Sequence, residues 1–242
     1  MSEHIMLSKE CTGCGACKYV CPKNAISMKK DEKGFWNWKI EQKMCIECKK
    51  CIKSCPQLNE ISRNEVKNVY GAVSKDEKIL KDSTSGGIFY ELAKLVLTRG
   101  GLVYGVSYDE NFTVKYTRVN SIGELKKIQG SKYVQAEIGN IYAKILEELE
   151  KGYEVIFSGT PCHVAGLKSF LKKDYNNLLT IDLLCHGVPS SLLFESYISW
   201  LEEKEGKKID EFKFRHKDHG YGERYLLGVQ TQNKIKKIPY MI

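Results

Sequence analysis

Cys11-Thr-Gly-Cys14-Gly-Ala-Cys17-Lys-Tyr-Val-Cys21-Pro22, followed by Cys45-Ile-Glu-Cys48-Lys-Lys-Cys51-Ile-Lys-Ser-Cys55-Pro56, writes one pattern twice: C-x2-C-x2-C-x3-C-P. It is the bacterial two-cluster ferredoxin spacing, in which three cysteines of each run hold one iron–sulfur cluster and the fourth holds the other. Closely spaced thiolates in a curled loop can wrap three corners of a cubane. The fourth, expected at the start of a short helix, points away from it, and the proline then turns the chain aside. The spacing therefore predicts one 4Fe-4S cluster on Cys11, Cys14, Cys17 and Cys55, and a second on Cys45, Cys48, Cys51 and Cys21. A disulfide framework or paired zinc sites would also use cysteines. Zinc sites, however, draw four ligands from two spaced pairs rather than from two quartets of this rhythm.

Outward from that stretch, the two motifs use 8 of the 10 cysteines, leaving Cys162 and Cys185. The chain has 242 residues and is 42% hydrophobic, enough for a small cluster domain and a medium-sized second domain with its own core. We place the first at residues 1–64 and the second at 65–242, with a polar linker around Asn59 to Asn68. No apolar run approaches the ~20 residues that span a bilayer. The first residues lack the charged start and apolar core of a secretory signal. Cluster thiolates need reducing conditions, so the expected location is cytoplasmic. The net charge is +8, and residues 1–64 carry 12 Lys and Arg against 7 Asp and Glu. Scattered lysines are most simply a solvated surface. The functional reading is a docking face for an acidic redox partner protein, such as an acidic ferredoxin, or for an anionic cofactor. The lysines do not form a run with interleaved aromatics, so no nucleic-acid partner is expected.

Within the cluster domain, Asp31 to Gly34 reads as a turn between two short strands. Trp36 and Trp38 alternate with polar residues, share one sheet face, and read as packing that shields the clusters from water. Beyond the linker, Asn68 to Ser74 reads as a strand. Ser83-Thr-Ser85-Gly86-Gly87 precedes apolar positions 88, 89, 92, 95 and 96 at helical spacing. Such a helix start can hold a phosphate on free N–H groups or can simply be a cap; the residues alone leave both open. Strands are expected at Leu102 to Tyr108 and Thr113 to Val119, and helices at Ile122 to Ile128 and Gly139 to Lys151. A buried strand, Glu154 to Phe157, delivers Ser158-Gly159-Thr160-Pro-Cys162-His163, and a helix follows from Val164. A second buried strand, Leu178 to Leu184, delivers Cys185-His186-Gly187. A helix over Leu192 to Glu203, a strand from Ile209 and a terminal hairpin complete the chain. This order predicts an α+β chain: a ferredoxin-like two-cluster domain followed by an α/β domain with a mixed sheet. Ligands of open α/β sheets bind beyond the carboxyl ends of strands, which makes the Ser158–Cys162 loop the leading candidate site. Cys162 and Cys185 are each followed by histidine. Such a pair can be nucleophile and base, metal ligand or cofactor-pocket lining, or the cysteine can be a small buried hydrophobe.

Ser158-Gly-Thr-Pro-Cys-His-Val-Ala-Gly-Leu-Lys and Asn177-Leu-Leu-Thr-Ile-Asp-Leu-Leu-Cys-His-Gly-Val-Pro-Ser resemble signatures of the family of coenzyme F(420) hydrogenase/dehydrogenase beta subunits. Ser83-Thr-Ser-Gly-Gly, Gly130-Ser-Lys132-Tyr133-Val-Gln and Phe214-Arg-His-Lys resemble its other motifs. The resemblance implies an iron–sulfur flavoprotein oxidoreductase in which two 4Fe-4S clusters exchange electrons with FAD. A hydride would then pass to or from the deazaflavin coenzyme F(420) or another organic acceptor. Partners would include a hydrogenase or dehydrogenase subunit. It also implies a flavin near Ser158, Gly159, Thr160, Cys162, Cys185 and Gly187, a phosphate at Ser83, Ser85, Gly86 and Gly87, contacts from Lys132 and Tyr133 to flavin or substrate, and His186 as a catalytic residue that hydrogen-bonds the flavin or donates a proton. Many bacterial members sit among polysaccharide-synthesis genes, so the alternative is a non-catalytic ferredoxin-type module or accessory subunit. Family members are usually longer, which makes the α/β domain read as incomplete at its C-terminal end. After Arg215 the chain reads His-Lys-Asp-His-Gly-Tyr, departing from the family's Asp-Lys and Gly-Trp.

Overall fold

The computed structural model describes residues 11–59, 61, 65–217, 226–232 and 234–239. The cluster domain is two curled loops around a hairpin. α1 (Ala16–Tyr19) closes the first loop and α2 (Lys50–Lys53) the second; between them run β1 (Ile26–Lys30) and β2 (Trp36–Ile40). The fourth cysteine of each motif follows its short helix rather than starting it. The turn of helix carries the third cysteine, and the chain must leave that helix before the fourth can reach across. The hairpin pairs Ile26 with Ile40 and Met28 with Trp38. Its turn is held by Asp31, whose Oδ1 accepts from the backbone N–H of Lys33 and Phe35. Gly34 completes it at φ +81, where a Cβ would lie 2.1 Å from that of Leu192. The hairpin tip therefore sits directly on the start of a helix more than 150 residues away, and Ser191 Oγ donates to the Gly34 carbonyl at 3.1 Å.

The second domain is built on a four-stranded mixed sheet. α3 (Glu77–Asp82) and α4 (Ile88–Thr98) precede β3 (Leu102–Tyr108), β4 (Val114–Val119), α5 (Leu125–Ile128) and α6 (Ile141–Glu150). Then come β5 (Val155–Gly159), α7 (Pro161–Leu171), β6 (Leu178–Asp182) and α8 (Ser191–Glu205). The strand order is β4-β3-β5-β6, with β4 antiparallel to β3 and the other pairs parallel. Strands buried on both faces need helices on both. Accordingly Val103, Val119 and Ile156 pack with α4 and α5 on one face. Tyr104 and Phe157 pack with α6, α7 and α8 on the other. Each fully buried Val, Ile or Phe of β5 contributes roughly 1.5–3 kcal/mol. A separate antiparallel sheet, β7 (Glu211–His216), β8 (Leu226–Thr231) and β9 (Lys234–Pro239), packs Phe212 and Phe214 against Phe194 of α8.

Three expectations change. Asn68 to Ser74 is not a strand but an exposed segment, with Val69 87% and Tyr70 80% accessible. Alternating apolar residues gave it the right period, yet it joins no ladder. The strand from Leu178 is not buried: it is the sheet's edge, Leu179 is 44% exposed, and the chain leaves the strand at Asp182. α7 begins at Pro161, so Cys162 and His163 stand in its first turn rather than in a loop. Proline suits that position, since it lacks only an N–H that would go unpaired there.

Candidate functional site

Two small cavities of equal size, about 20 Å³ each, lie in the cluster domain. Cys11, Cys14, Cys17 and Cys55 line the first, together with Thr12, Met28 and Trp38. Cys21, Cys45, Cys48 and Cys51 line the second, walled by Ile26, Ile40 and Ile46. Cys55 thus stands with the first three cysteines of the first motif, and Cys21 with the first three of the second. Among the described residues no group of three or more His, Cys, Asp or Glu side chains could hold a single metal ion. The thiols surround volumes rather than points, which suits a polynuclear cluster. Backbone N–H groups already point at sulfur: Gly13 at Cys11, 3.4 Å, and Ala25 at Cys21, 3.3 Å. Burial pushes the Cys14 thiol up to about 12 and raises Cys11, Cys17 and Cys51 as well. Iron must therefore displace protons as it binds.

The two loops share one backbone shape but not one sequence. Gly13 (φ +73) and Gly15 (φ +76) in the first correspond to Glu47 (φ +53) and Lys49 (φ +58) in the second. The left-handed conformation alone does not demand glycine, as the second loop demonstrates. Contact does. A Cβ on Gly13 would lie 2.5 Å from Gln135 Nε2 and 2.6 Å from the Trp36 carbonyl, and one on Gly15 would lie 2.8 Å from Ile138. The first loop is pressed against the α/β domain. The second faces solvent, with Cys48, Lys49, Lys50 and Lys53 exposed.

Several bonds tie the first loop down. Tyr142 OH, buried in α6, lies 2.9 Å from the Cys14 carbonyl and 2.8 Å from that of His163. Gln135 Oε1 accepts from Trp36 N–H at 2.6 Å, and its Nε2 donates to Thr12 and Trp36 carbonyls. Lys18 Nζ and Tyr19 OH both donate to the Gly139 carbonyl. Behind the loop lies the start of α7. Thr160 Oγ1 is 3.1 Å from Cys162 Sγ and 3.2 Å from His163 Nδ1, which also meets Tyr116 OH at 2.9 Å. His163 is 3% exposed. Burial pushes its pKa down to about 4, so the ring is neutral; the nearby Gly13 backbone works weakly the other way. Cys162 stands close enough to Cys11 and Cys14 to raise both thiols.

A larger pocket, about 270 Å³, opens elsewhere on the α/β domain. Thr84, Gly130, Lys132 and Arg215 line it, as do Lys126, Lys127 and Lys213, against the acids Asp82 and Glu211. Lys132 donates to the carbonyls of Lys127, Gln129 and Gly130 at 3.0–3.3 Å. Desolvation pushes its ammonium down to about 7. Tyr133 lies beneath the Arg215 guanidinium and against Phe214. Ser83 and the two glycines serve the pocket wall from behind. Ser83 Oγ accepts from Gln129, and Gly86 leaves room for the Ala72 carbonyl, 2.6 Å from where its Cβ would be. Ser85 passes its carbonyl to Lys217. Gly87 takes φ +80 as α4 begins.

The predicted cofactor residues therefore fall into three places. Lys132 lines the basic pocket; Tyr133 and the Ser83–Gly87 stretch adjoin it, with Thr84 alone of that stretch in its wall. Thr160 and Cys162 sit behind the first cluster loop. Gly159 makes room for Tyr116, whose OH would lie 2.3 Å from an added Cβ, and Ser158 precedes it in β5. Cys185, His186 and Gly187 are exposed past the edge strand and line none of these cavities. The residues Asp218 to Tyr221, where the chain departs from the family pattern, lie outside the described residues. Sequence reasoning passed over Tyr142 and Gln135 as site residues and raised His163 only as the neighbour of Cys162. His163 and Gln135 stand inside quoted motifs; Tyr142 carries no local signal, because its role exists only across an interface.

The chain matches two families. The 4Fe-4S dicluster domain covers residues 10–59, and the C-terminal part of the coenzyme F420 hydrogenase/dehydrogenase beta subunit matches over residues 152–241. The chain is 28% identical over 191 residues to the F subunit of the F(420)H(2) dehydrogenase of Methanosarcina mazei, covering 72% of this chain and 53% of that protein. It thus spans about half the length of that relative. It is 37% identical over 60 residues to a ferredoxin-like protein in the nif region of Rhizobium leguminosarum, covering 22% of this chain and 86% of that protein. A chain of the F420-reducing [NiFe] hydrogenase complex from Methanosarcina barkeri superposes with a TM-score of 0.47 and 19% identity, over 69% of this chain and 58% of that one. No helix among the described residues is long and apolar enough to cross a membrane.

Proposed function

The chain belongs to the family of coenzyme F420 hydrogenase/dehydrogenase beta subunits, and on that premise we propose that it is an iron–sulfur flavoprotein that carries electrons between a protein partner and an organic hydride carrier. Its iron–sulfur electron-transfer character follows from the dicluster domain. The observation that carries the rest is the asymmetry of the two cysteine loops. One cluster would stand at a solvent-facing, lysine-rich end, and the other against α7 and α6 of the α/β domain. Electrons then have an outer entry and an inner exit.

The basic pocket suits an anionic dinucleotide. Its volume, about 270 Å³, lies just below the ~300–1,000 Å³ range of cofactor sites, so it would seat the diphosphate rather than enclose the whole cofactor. Lys126, Lys127 and Arg215 would hold the diphosphate of FAD, while Lys132, fixed by three carbonyls, would present its ammonium to the ligand. Bound there, FAD would supply the exchange between single electrons and hydride that the clusters lack. The chain's own contribution is charge, a shaped wall and the Tyr133–Arg215 stack. Anaerobic purification followed by iron and flavin assays tests this: the expected result is the iron of two four-iron clusters and one FAD per chain. Arg215→Ala should lose flavin and keep iron.

One observation favours the alternative, a ferredoxin-type module without flavin. The Ser158–Cys162 segment, expected beside the flavin, lies at the cluster loop instead of the basic pocket. Full iron with no flavin, from protein prepared without dilution or dialysis, would establish that reading.

The outer end suits an acidic redox protein. Met44 (47% exposed) and Ile46 (57%) are framed by Lys43, Lys49, Lys50 and Lys53. Opposite charge there accelerates encounter and is screened by salt. The double variant Lys49→Glu, Lys53→Glu should slow reduction by an acidic ferredoxin about 10-fold or more at low ionic strength. At several hundred millimolar salt the difference should largely disappear. Equal rates at low salt would exclude this face.

A further inference from the structure

The cavity ringed by Cys11, Cys14, Cys17 and Cys55 holds two side-chain donors that neither sequence motif nor family resemblance singles out. The Trp38 indole Nε1 and the Thr12 Oγ1 are both buried, and neither has a hydrogen-bond partner among the described residues. A buried donor left unpaired costs roughly 1–3 kcal/mol, and native folds seldom leave such groups without a reason. Trp38 is fixed on β2 opposite Met28, which lines the same cavity. The second cavity differs: apart from its cysteines, its polar lining is Lys23, Lys49 and Lys50, all exposed.

We propose that Trp38 Nε1–H and Thr12 Oγ1–H donate hydrogen bonds to sulfur of the cluster held by Cys11, Cys14, Cys17 and Cys55, and that they raise its reduction potential relative to the outer cluster. Reduction adds one electron, hence one negative charge, and the donors stabilise that charge. Hydrogen bonds to sulfur, net charge and solvent exposure are the protein's means of setting such potentials. The inner site needs the correction. Burial disfavours the added charge there, while water and three lysines favour it at the outer site. Without the two donors the inner cluster would lie further below the outer one, and inward transfer would stall. Neither residue is catalytic; both act through the cluster.

The inference rests on these four thiols holding a cluster, and the test separates the two claims. Wild type, Trp38→Phe, Thr12→Val and Thr12→Ser are prepared anaerobically, assayed for iron, and titrated potentiometrically with both clusters followed by electron paramagnetic resonance. The expected result is unchanged iron, with the potential of one cluster shifted down in Trp38→Phe and Thr12→Val. Thr12→Ser, which keeps the hydroxyl, should retain the wild-type value, and the outer cluster should not move. In deuterium oxide, wild type should show exchangeable proton couplings at one cluster that weaken in Trp38→Phe. Full iron with both potentials unchanged in Trp38→Phe and Thr12→Val overturns the inference. If Trp38→Phe fails to assemble its cluster, the Thr12→Val and Thr12→Ser pair decides, since both nearly preserve volume. Wild type that binds iron at only the outer quartet overturns the ligand reading on which it rests.

Discussion

Cys55→Ala should abolish the same cluster as Cys14→Ala and leave the other assembled, with iron falling to about half. Cys55 belongs by sequence to the second motif, so a reading of each motif as a self-contained site expects the opposite pairing. The cavity lining gives the reason. Cys55 closes the wall that Cys11, Cys14 and Cys17 begin, and Cys21 closes the one begun by Cys45, Cys48 and Cys51. A quartet short of one thiolate can bind iron only with an exogenous ligand or in a smaller cluster. The surviving signal is the diagnostic. In Cys55→Ala and Cys14→Ala the remaining cluster should show identical spectra, and in Cys21→Ala and Cys48→Ala the other one should. If Cys55→Ala and Cys48→Ala share a spectrum instead, the crossing is wrong. Stability should fall as well, because the buried thiols that remain lose the metal that linked the loop to the hairpin.

Gly166→Val should separate the first cluster loop from α7 and destabilise the protein by about 2–4 kcal/mol, from overpacking and the loss of a buried hydrogen bond. Gly166 lies in mid-helix, where glycine costs roughly 1 kcal/mol relative to alanine. What it permits is contact: a Cβ there would sit 2.7 Å from Tyr142 OH, 3.1 Å from Cys14 Cβ and 3.2 Å from the Cys14 carbonyl. A branched side chain must displace the cysteine loop or the tyrosine that pins it. Tyr142→Phe is the milder comparison. It removes one hydroxyl shared by two carbonyls and should cost about 1–3 kcal/mol without adding volume. Thermal unfolding of the iron-loaded protein should rank wild type above Tyr142→Phe above Gly166→Val. In Gly166→Val one cluster should bleach faster in air while the other keeps its wild-type rate, since Gly166 packs on Cys14, which lines the inner cavity and not the outer one. Uniform bleaching of both, or no change in melting temperature, would contradict this contact.

Much of the fold was legible because it is local. Apolar spacing placed α4, α6, β3, β4 and β5 close to where they form, since each shows its period over a full element. The failures were also physical. Asn68 to Ser74 and Leu178 to Leu184 both have the apolar content of a strand. Whether such a run is buried, at an edge or unpaired depends on neighbours that the run itself does not encode. The site was legible to the same degree. Spacing picked out the cysteine quartets and their crossing. The motifs at Ser83 and Gly130 were recognisable, but nothing local said that they share a basic pocket with Arg215 while Thr160 and Cys162 stand elsewhere.

The sequence by itself determined that two clusters' worth of thiols lie within one short domain and that an α/β sheet follows. Both rest on covalent spacing and on side-chain period, which act over a few residues. Only the tertiary structure decided which cysteine loop is inner and which is outer. Gly13 and Gly15 against Glu47 and Lys49 were in plain view as letters. Their meaning came from Gln135, Ile138, Tyr142 and Gly166, far along the chain, which close on the first loop and leave the second in water. Side-chain volume excluded across that contact sets which loop lies inside.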